Sequence, residues 1–264
     1  CGEDALNECM KRVGGFSHNG FALVIVEQLE KRYANFPGLN LSREILDGQD
    51  VRAHKAEAAV GRSPLLEVQI VDAADSMAYD AHDVDDALQM GLLSMQDLME
   101  LAIVRRAMEL VRQKGGANRI HQERQALVHE LIDLQVTDFL AEATEHLMPF
   151  QGQSVSEAQD AGLRLQHSDA IGRERSELEA FLFEAVYRHS RLIPVRRSAY
   201  HRLLDMFEVL RDDPSRLPLR FRRRCESSPL ESVIGEYLAG MTDSFCDSQY
   251  KYASDGSTGP LADW

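Results

Sequence analysis

Residues 72–86 read DAADSMAYDAHDVDD, and seven of these fifteen positions are Asp or His. On an α-helix, side chains three or four positions apart share one face. Four of the Asp residues and the tyrosine then form a single stripe, while the Ala, Met and Val side chains lie elsewhere and can pack. The segment therefore predicts a helix with one acidic face, formed by Asp72, Asp75, Tyr79, Asp83 and Asp86.

This acidic stripe needs something to offset its own repulsion. Like charges at these spacings cost roughly a few tenths of a kcal/mol per pair, and Asp is a poor helix former. A divalent cation would offset that cost. A solvated acidic face is the alternative, but Tyr79 in the middle of the stripe and the Ala- and Met-rich remainder weigh against it. Asp75 alone is not a metal site, because catalytic zinc and iron sites use about three or four protein ligands.

Helical spacing of apolar residues dominates the rest of the chain, and no segment shows the alternation typical of strands. Ser63 is a candidate N-cap with Pro64 at the first helical position, and Gly91 is a candidate stop. The sequence predicts an all-α fold. Its predicted helices include residues 63–90, 95–114, 118–145, 176–188, 198–210 and 230–245.

Composition excludes some classes of protein. The 264 residues carry a net charge of -14, which argues against a general nucleic-acid coat but not against a small anionic ligand held by a metal and a few arginines. No apolar run approaches the roughly 20 residues needed to cross a membrane. The four cysteines form no C-x-x-C pair, which disfavours a thiolate zinc site and favours a reducing cytoplasm.

Six segments, in chain order, resemble motifs of the dGTPase-like deoxynucleotide triphosphohydrolases of the HD superfamily. The most specific are residues 74–83, ADSMAYDAHD, and residues 239–243, AGMTD. Together the matches run from residue 1 to about residue 245. The full set consists of residues 2–7, 16–19, 29–33, 38–41, 71–86 and 237–243.

The resemblance implies an HD-superfamily helical core followed by a helical C-terminal region. Residues 1–115 would form an incomplete HD-type catalytic core, and residues 116–253 the C-terminal region. Residues 254–264, rich in Gly, Ser and Asp, are expected to form a flexible tail. The family binds its metal through a His, a His-Asp pair and a distant Asp, which matches Asp75. The other ligands normally precede the position of Cys1, so an N-terminal segment is expected to be missing.

Further roles carry over position by position. Glu3 matches an acidic residue near the metal-bound water, and His18 matches the catalytic histidine that pairs with this acid. In such a pair the carboxylate orients an imidazole that gives or takes a proton. Taken alone, His18 would more often be a satisfied polar residue at a helix start. Tyr79 and Asp83 match residues that contact the substrate sugar and phosphates. Tyr79 could exclude a ribose 2′-hydroxyl by shape, and Asp83 could bind the 3′-hydroxyl.

Two groups of arginines are candidate anion sites. Arg188 and Arg196 belong to a basic patch that suits triphosphate oxygens, because the guanidinium fork pairs with phosphate. An inter-subunit salt-bridge surface is the equal alternative. A second cluster of arginines suggests a binding site for a nucleotide or single-stranded nucleic-acid effector. The alternative is that these arginines contact the acidic surface of a partner subunit. The first patch also contains Tyr187, His189, Arg191, Arg197 and Arg202, and the second consists of Arg220, Arg222, Arg223 and Arg224.

Some positions depart from the family pattern. Val24 and Ser244 lie where relatives often carry Arg, and Ala87 replaces a common Gly. These departures concern phosphate and partner contacts more than metal chemistry. His54 either lines the pocket or lies on the surface.

The resemblance implies water attack on the α-phosphorus of a deoxynucleoside triphosphate, giving the deoxynucleoside and inorganic triphosphate. The divalent cation could be Mn, Mg, Fe, Co, Ni or Zn. A homo-oligomer in the cytoplasm, with no membrane partner, is expected. Two alternatives stay open: an HD-type phosphohydrolase of another nucleotide, and a non-catalytic helical module that binds nucleotides or nucleic acid.

Overall fold

The computed structural model describes residues 1–53, 63–114, 120–255, 257 and 259–264. Within these residues the chain is all-α, with two isolated β-bridges and no strand, so the predicted fold class is confirmed. His54 lies outside the described residues. The α-helices are α1 (Gly2–Cys9), α2 (His18–Val24), α3 (Arg43–Ala53), α4 (Leu66–Gln89), α5 (Met95–Leu98), α6 (Ala102–Gln113), α7 (Ile120–Leu147), α8 (Val155–Asp160), α9 (Asp169–Leu182), α10 (Ile193–Asp212), α11 (Leu219–Arg224), α12 (Leu230–Ala239) and α13 (Asp243–Ser254).

The chain divides into two compact units. The terminal unit comprises Cys1–Glu57 and Ile193–Trp264, and the central unit comprises Ala58–Leu192. None of the described helices is long and apolar enough to cross a membrane. The predicted division of the chain at residue 115 stays a prediction.

The terminal unit has a core made by α1, α2 and the helices that follow α9. Tyr237, Phe207 and Phe221 are its largest fully buried side chains. Helices α1 and α12 approach closely at Gly235, where an added Cβ would collide with the sulfur of Met10. This core fixes α1, which carries Glu3, against α10 and α12. Its buried members are Leu6, Met10, Phe21, Leu29, Met206, Phe207, Leu210, Leu217, Phe221, Val233, Ile234, Tyr237, Leu238 and Leu261.

Residues 259–264 pack against this core. Leu261 is buried, and the Tyr237 hydroxyl donates to the carbonyl of Ala262 at 2.6 Å. The Trp264 indole donates to the carbonyl of Tyr237 at 2.9 Å, and the Arg220 guanidinium lies 4.3 Å from the Trp264 ring. The Gly, Ser and Asp content of the segment does not predict these contacts, which depend on its two large apolar side chains.

The helix predicted over residues 230–245 is wrong in one respect, because the structure has two helices there. Helix α12 ends at Ala239, and α13 begins at Asp243. The Thr242 hydroxyl caps α13 by accepting from the amide of Phe245 at 3.3 Å. Gly240 meets the Trp264 ring so closely that an added Cβ would collide with it. The AGMTD motif therefore forms the turn between two helices.

In the central unit, α4 packs against α7 and α9. Met77, Ala81, Val84 and Ala87 are buried at helical spacing, as the apolar pattern of this segment predicts. Its C-terminal end is also as predicted, since Gly91 follows with a left-handed φ of 61°.

The start of α4 lies later in the chain than predicted. The helix begins at Leu66, and Leu65 is its N-cap residue. Ser63 is held in a non-helical conformation by Gln159, whose side-chain amide donates to the Ser63 carbonyl at 2.8 Å. The Gln69 amide binds the Pro64 carbonyl in the same way at 2.9 Å. One long-range amide contact and one local amide contact thus replace the predicted cap.

The sequence did not predict that Asp80 shares the buried face of α4. Its side chain is almost fully buried and accepts from Nε and Nη2 of Arg175 on α9, at 2.9 and 2.7 Å. Arg175 also donates to the Ser76 hydroxyl at 2.7 Å. Burial raises the pKa of Asp80, while the Arg175 charge acts to lower it. This buried ion pair fixes α9 against α4.

A second buried contact fixes the start of α9 to α7. Oδ2 of Asp138 lies 3.0 Å from Nδ1 of His167 and accepts from the amide of Ser168 at 3.0 Å. The His167 ring is buried and packs on Phe139. Burial lowers the pKa of His167, and the hydrogen bond with Asp138 only partly opposes this effect. The ring is therefore held in its neutral form.

We expect the protein to lose stability as the pH falls below about 6.5, the ordinary pKa of an unfolded-chain histidine. In that range the unfolded chain takes up a proton at this position and the folded state does not, so protons favour unfolding. Urea unfolding between about pH 8 and pH 5 measures the effect. In His167→Asn the slope should be smaller, because the asparagine amide takes the place of Nδ1 as a donor for Asp138 but does not titrate. Equal slopes in both proteins would contradict this origin.

Candidate active site

Glu3 and His18 are in direct contact in the terminal unit. Glu3 lies in the first turn of α1, and His18 is the first residue of α2. Oε2 of Glu3 lies 2.9 Å from Nδ1 of His18, and Oε1 accepts from the His18 amide at 3.0 Å. One carboxylate thus holds both the ring and the backbone of the histidine.

The turn between α1 and α2 brings these two residues together. Gly14 and Gly15 have φ values of 103° and 85°, a region that glycine enters without steric cost. The side chain of Asn7 accepts from the amide of Phe16 at 3.0 Å, and an added Cβ at Gly15 would collide with that oxygen. The Ser17 hydroxyl then caps α2. The direction in which His18 leaves the turn is therefore fixed by local chemistry.

The electrostatics keep Glu3 ionised. Partial burial acts to raise the pKa of Glu3, but the hydrogen bonds from the backbone and ring of His18 outweigh it, and the pKa is lowered. A carboxylate at a helix start also satisfies an N–H group that has no helical partner. With Nδ1 facing this carboxylate, we assign the ring proton to Nδ1. Nε2 is then the atom that can exchange a proton with another group.

Glu3 and His18 border a cavity of about 490 Å³ in the terminal unit, and Arg196 on α10 lines the same cavity. Small-molecule sites commonly measure roughly 300–1,000 Å³ and have mostly apolar walls with a few polar groups. This cavity fits that description, since its polar side chains stand among apolar ones. The remaining lining residues are Cys1, Gly2, Leu6, Phe16, Phe21, Val195, Ala199, Arg202, Leu203, Leu238, Ala239, Met241, Asp243 and Cys246.

In the central unit, Asp75, Tyr79 and Asp83 follow one face of α4. The Tyr79 ring is 63% exposed, and the two aspartates are half-buried. Oδ2 of Asp83 accepts from the hydroxyl of Tyr187 at 2.5 Å. Tyr187 ends a π-helical turn, Phe183–Tyr187, that follows α9. The sequence placed Tyr187 in the basic patch and did not predict its contact with Asp83, because regular helical spacing does not reveal a π-helical turn.

The arginines of the predicted basic patch each contact different partners. Arg188 pairs with Glu184 at 3.1 Å and lies 5.1 Å from the centre of the Phe183 ring. Arg191 donates to the carbonyls of Met90 and Gly91 after α4, at 3.2 and 3.4 Å. In the terminal unit, the Arg202 guanidinium pairs with Asp247.

The second arginine cluster is partly used within the fold. Arg220 pairs with Asp263 at 2.7 Å and stacks on the Phe221 and Trp264 rings. Arg224 pairs with Glu236 at 2.9 Å. Arg222 and Arg223 have exposed side chains. Two of the four arginines are therefore committed to internal contacts.

The resemblance implies a divalent cation. Among the described residues, no three His, Cys, Asp or Glu side chains are arranged so that they could hold a metal ion. Asp75 could supply one carboxylate ligand. These residues therefore do not by themselves form the implied site.

Comparison with known proteins identifies the family. Residues 165–252 match the phosphohydrolase-associated domain. A deoxyguanosinetriphosphate triphosphohydrolase-like protein of Nitrosomonas europaea is 33% identical, with 95% of this chain and 69% of the relative covered. Proteins of the same name from Ralstonia pickettii and Brucella suis are 31% and 34% identical, with 95% and 96% of this chain and 67% and 70% of the relatives covered. The chain belongs to this family.

Membership in the deoxyguanosinetriphosphate triphosphohydrolase-like family confirms the resemblance drawn from the motifs. The similarity covers nearly all of the chain, so it extends over both compact units. The chain is therefore a phosphohydrolase of this family, and its helical fold agrees with that assignment.

Proposed function

We propose that the protein hydrolyses a deoxynucleoside triphosphate to the deoxynucleoside and inorganic triphosphate. The observation that carries this proposal is the contact between Glu3 and His18 beside the cavity lined by Arg196. The names of the relatives supply the substrate class.

The reaction forms a bond from a water oxygen to the α-phosphorus and breaks the bond from that phosphorus to the 5′-oxygen. Overall, a water proton ends on the departing 5′-oxygen. His18 can give or take this proton at Nε2, because Glu3 fixes the ring through Nδ1. The Arg196 guanidinium is suited to pair with phosphate oxygens on the cavity wall.

The resemblance supplies the roles proposed for the central unit. Asp75 would bind the divalent cation, which polarises the phosphate when bound. Tyr79 would lie against the 2′-carbon of the sugar, and Asp83 would accept from the 3′-hydroxyl. Arg188 would contact phosphate after leaving Glu184, a pairing that costs little to break since both partners are exposed.

A substrate panel tests the proposal. Each deoxynucleoside triphosphate and each ribonucleoside triphosphate is incubated with the full-length protein and a divalent cation, and the products are separated by ion-exchange chromatography. We expect inorganic triphosphate and deoxynucleoside from at least one deoxynucleotide, with slower turnover of the matching ribonucleotide. A chelator should abolish turnover, and at least one of Mn, Mg, Fe, Co, Ni and Zn should restore it.

Other outcomes of the same panel would contradict the proposal. Release of pyrophosphate and a nucleoside monophosphate would place the cleavage at another phosphorus. Turnover of a different phosphorylated nucleotide alone would favour another HD-type phosphohydrolase, and nucleotide binding without turnover would favour a regulatory module. The homo-oligomer, the effector site and the cytoplasmic location stay predictions.

A further inference from the structure

We propose that Trp264 is a positioning residue for the candidate active site. Its ring packs on Gly240 and so fixes the turn between α12 and α13, which forms part of the cavity wall beside Glu3 and His18. This inference rests on the proposed function, because it concerns how tightly the cavity binds a deoxynucleoside triphosphate. Trp264 lies outside the six segments that carry the family resemblance.

The turn between α12 and α13 contacts both the cavity and the indole ring. Ala239, Met241 and Asp243 line the cavity. Gly240 lies among them in the chain and meets Trp264, because a Cβ added at Gly240 would collide with the indole ring. The position of the ring therefore limits how far this part of the cavity wall can move.

Gly240 is a glycine for reasons of space. Its φ of -79° and ψ of -5° lie in the ordinary right-handed region that residues with side chains adopt freely. The three atoms nearest to an added Cβ all belong to Trp264. Glycine at this position is therefore matched to the indole ring rather than to the backbone conformation.

The indole also completes the end of α12. In a continued helix the amide of Met241 would bind the carbonyl of Tyr237, but it binds that of Leu238 at 3.2 Å. The Trp264 indole donates to the Tyr237 carbonyl in its place, at 2.9 Å. A carbonyl at a helix end lacks a helical partner, and burying it without a donor costs free energy. Trp264 thus stabilises the point where the helix ends and the turn begins.

Trp264 is itself held by residues that do not line the cavity. Its carbonyl accepts from Arg220 at 2.8 Å, and Arg220 also pairs with Asp263 at 2.7 Å. The side chain of Gln249 accepts from the amide of Ala262 at 2.8 Å. These anchors differ from the residues of the cavity wall. The ring can therefore hold the turn in place before any ligand enters.

This arrangement separates substrate binding from proton transfer. Glu3 and His18 are fixed by their mutual contact and by the glycine turn between α1 and α2, rather than by residues 259–264. Loss of the indole should therefore leave their geometry intact and loosen only the wall. A site that has its binding conformation for a fraction of the time binds its ligand more weakly by that fraction.

The test measures kcat and KM of the full-length protein and its variants with the preferred deoxynucleoside triphosphate. In Trp264→Ala we expect KM to rise roughly tenfold, as for a wall that is in place about a tenth of the time, with kcat nearly unchanged. Trp264→Phe should give a smaller rise, because a ring remains over Gly240 but the indole N–H is lost. Partial unfolding would instead lower kcat without raising KM, since the remaining folded molecules bind normally.

Gly240→Ala tests the contact from the other side. In the presence of Trp264 the added methyl group displaces the ring, so KM should rise as in Trp264→Ala. In the Trp264→Ala background the same methyl group meets open space, so it should add no further rise. Tyr252→Ala is the matched control, because this aromatic residue of α13 is exposed to a similar degree, 40% against 36% for Trp264. Its KM should stay that of the unaltered protein.

The possible results distinguish this inference from the function on which it rests. A KM for Trp264→Ala equal to that of Tyr252→Ala would overturn the inference alone, as would a loss confined to kcat. Equal effects of Gly240→Ala with and without the indole would do the same. If Trp264→Ala fails to fold, Trp264→Phe and Gly240→Ala still decide the question. Absence of any deoxynucleotide turnover in the unaltered protein would overturn the proposed function and this inference with it.

Discussion

Replacement of His18 by alanine should lower kcat for a deoxynucleoside triphosphate by about a hundredfold to ten-thousandfold, the usual contribution of general acid–base catalysis. The His18 ring contacts Glu3 through Nδ1 and borders the cavity, so its loss removes proton transfer without removing Arg196. We therefore expect KM to change much less than kcat. Steady-state kinetics of the purified variant measure both constants.

Two further variants, one at Glu3 and one control at His201, accompany this test. Glu3→Gln should give a smaller loss than His18→Ala, because the ring remains but loses the negative charge that orients it and stabilises its protonated form. His201→Ala is the control, since His201 lies exposed on α10 and its ring contacts Tyr200. A kcat for His18→Ala equal to that of His201→Ala would remove His18 from the mechanism.

Replacement of Arg175 by methionine should destabilise the protein by about 3–5 kcal/mol, as expected when one partner of a buried ion pair is lost. Asp80 would then remain buried without its cation. Burial already raises the pKa of this carboxyl group, and without Arg175 nothing comparable opposes that effect. Asp80 would tend to take up a proton, so the loss should grow as the pH rises. Guanidinium unfolding near neutral pH measures it.

Exposed and apolar replacements provide the controls. Arg112 and Glu109 form an exposed pair on α6, so Arg112→Met should change stability by about 0.5 kcal/mol or less. The double variant Asp80→Leu with Arg175→Met should recover most of the loss, because apolar side chains can replace a buried pair. A small effect of Arg175→Met alone would show that water reaches Asp80.

The sequence predicted the parts of the fold that depend on local spacing. Helix α4 buries Met77, Ala81 and Val84 as expected, since a period of 3.6 residues is a property of neighbouring positions. Its start was wrong because Gln159 holds Ser63 from 96 positions away in the chain. No local rule contains such a contact.

The candidate site, too, was predicted only in part from the sequence. Family motifs named Glu3 and His18, but their contact depends on a turn of two glycines with positive φ that spacing alone does not specify. Asp80 was counted with the other acidic residues of its helix, because its partner Arg175 lies 95 positions later. The contact of Tyr187 with Asp83 was not predicted for a related reason, because it depends on a change of helix type.

The π-helical turn Phe183–Tyr187 also affects how the side chain that faces Asp83 can change during evolution. Each residue of an α-helix advances the chain by about 100° around the axis, so gaining or losing one residue re-aims every later side chain. Conversion of this turn to regular α-helix would point a neighbour of Tyr187, rather than Tyr187 itself, toward Asp83. A single insertion or deletion could therefore exchange the side chain at this position in one step, with α9 and its anchor Arg175 left unchanged.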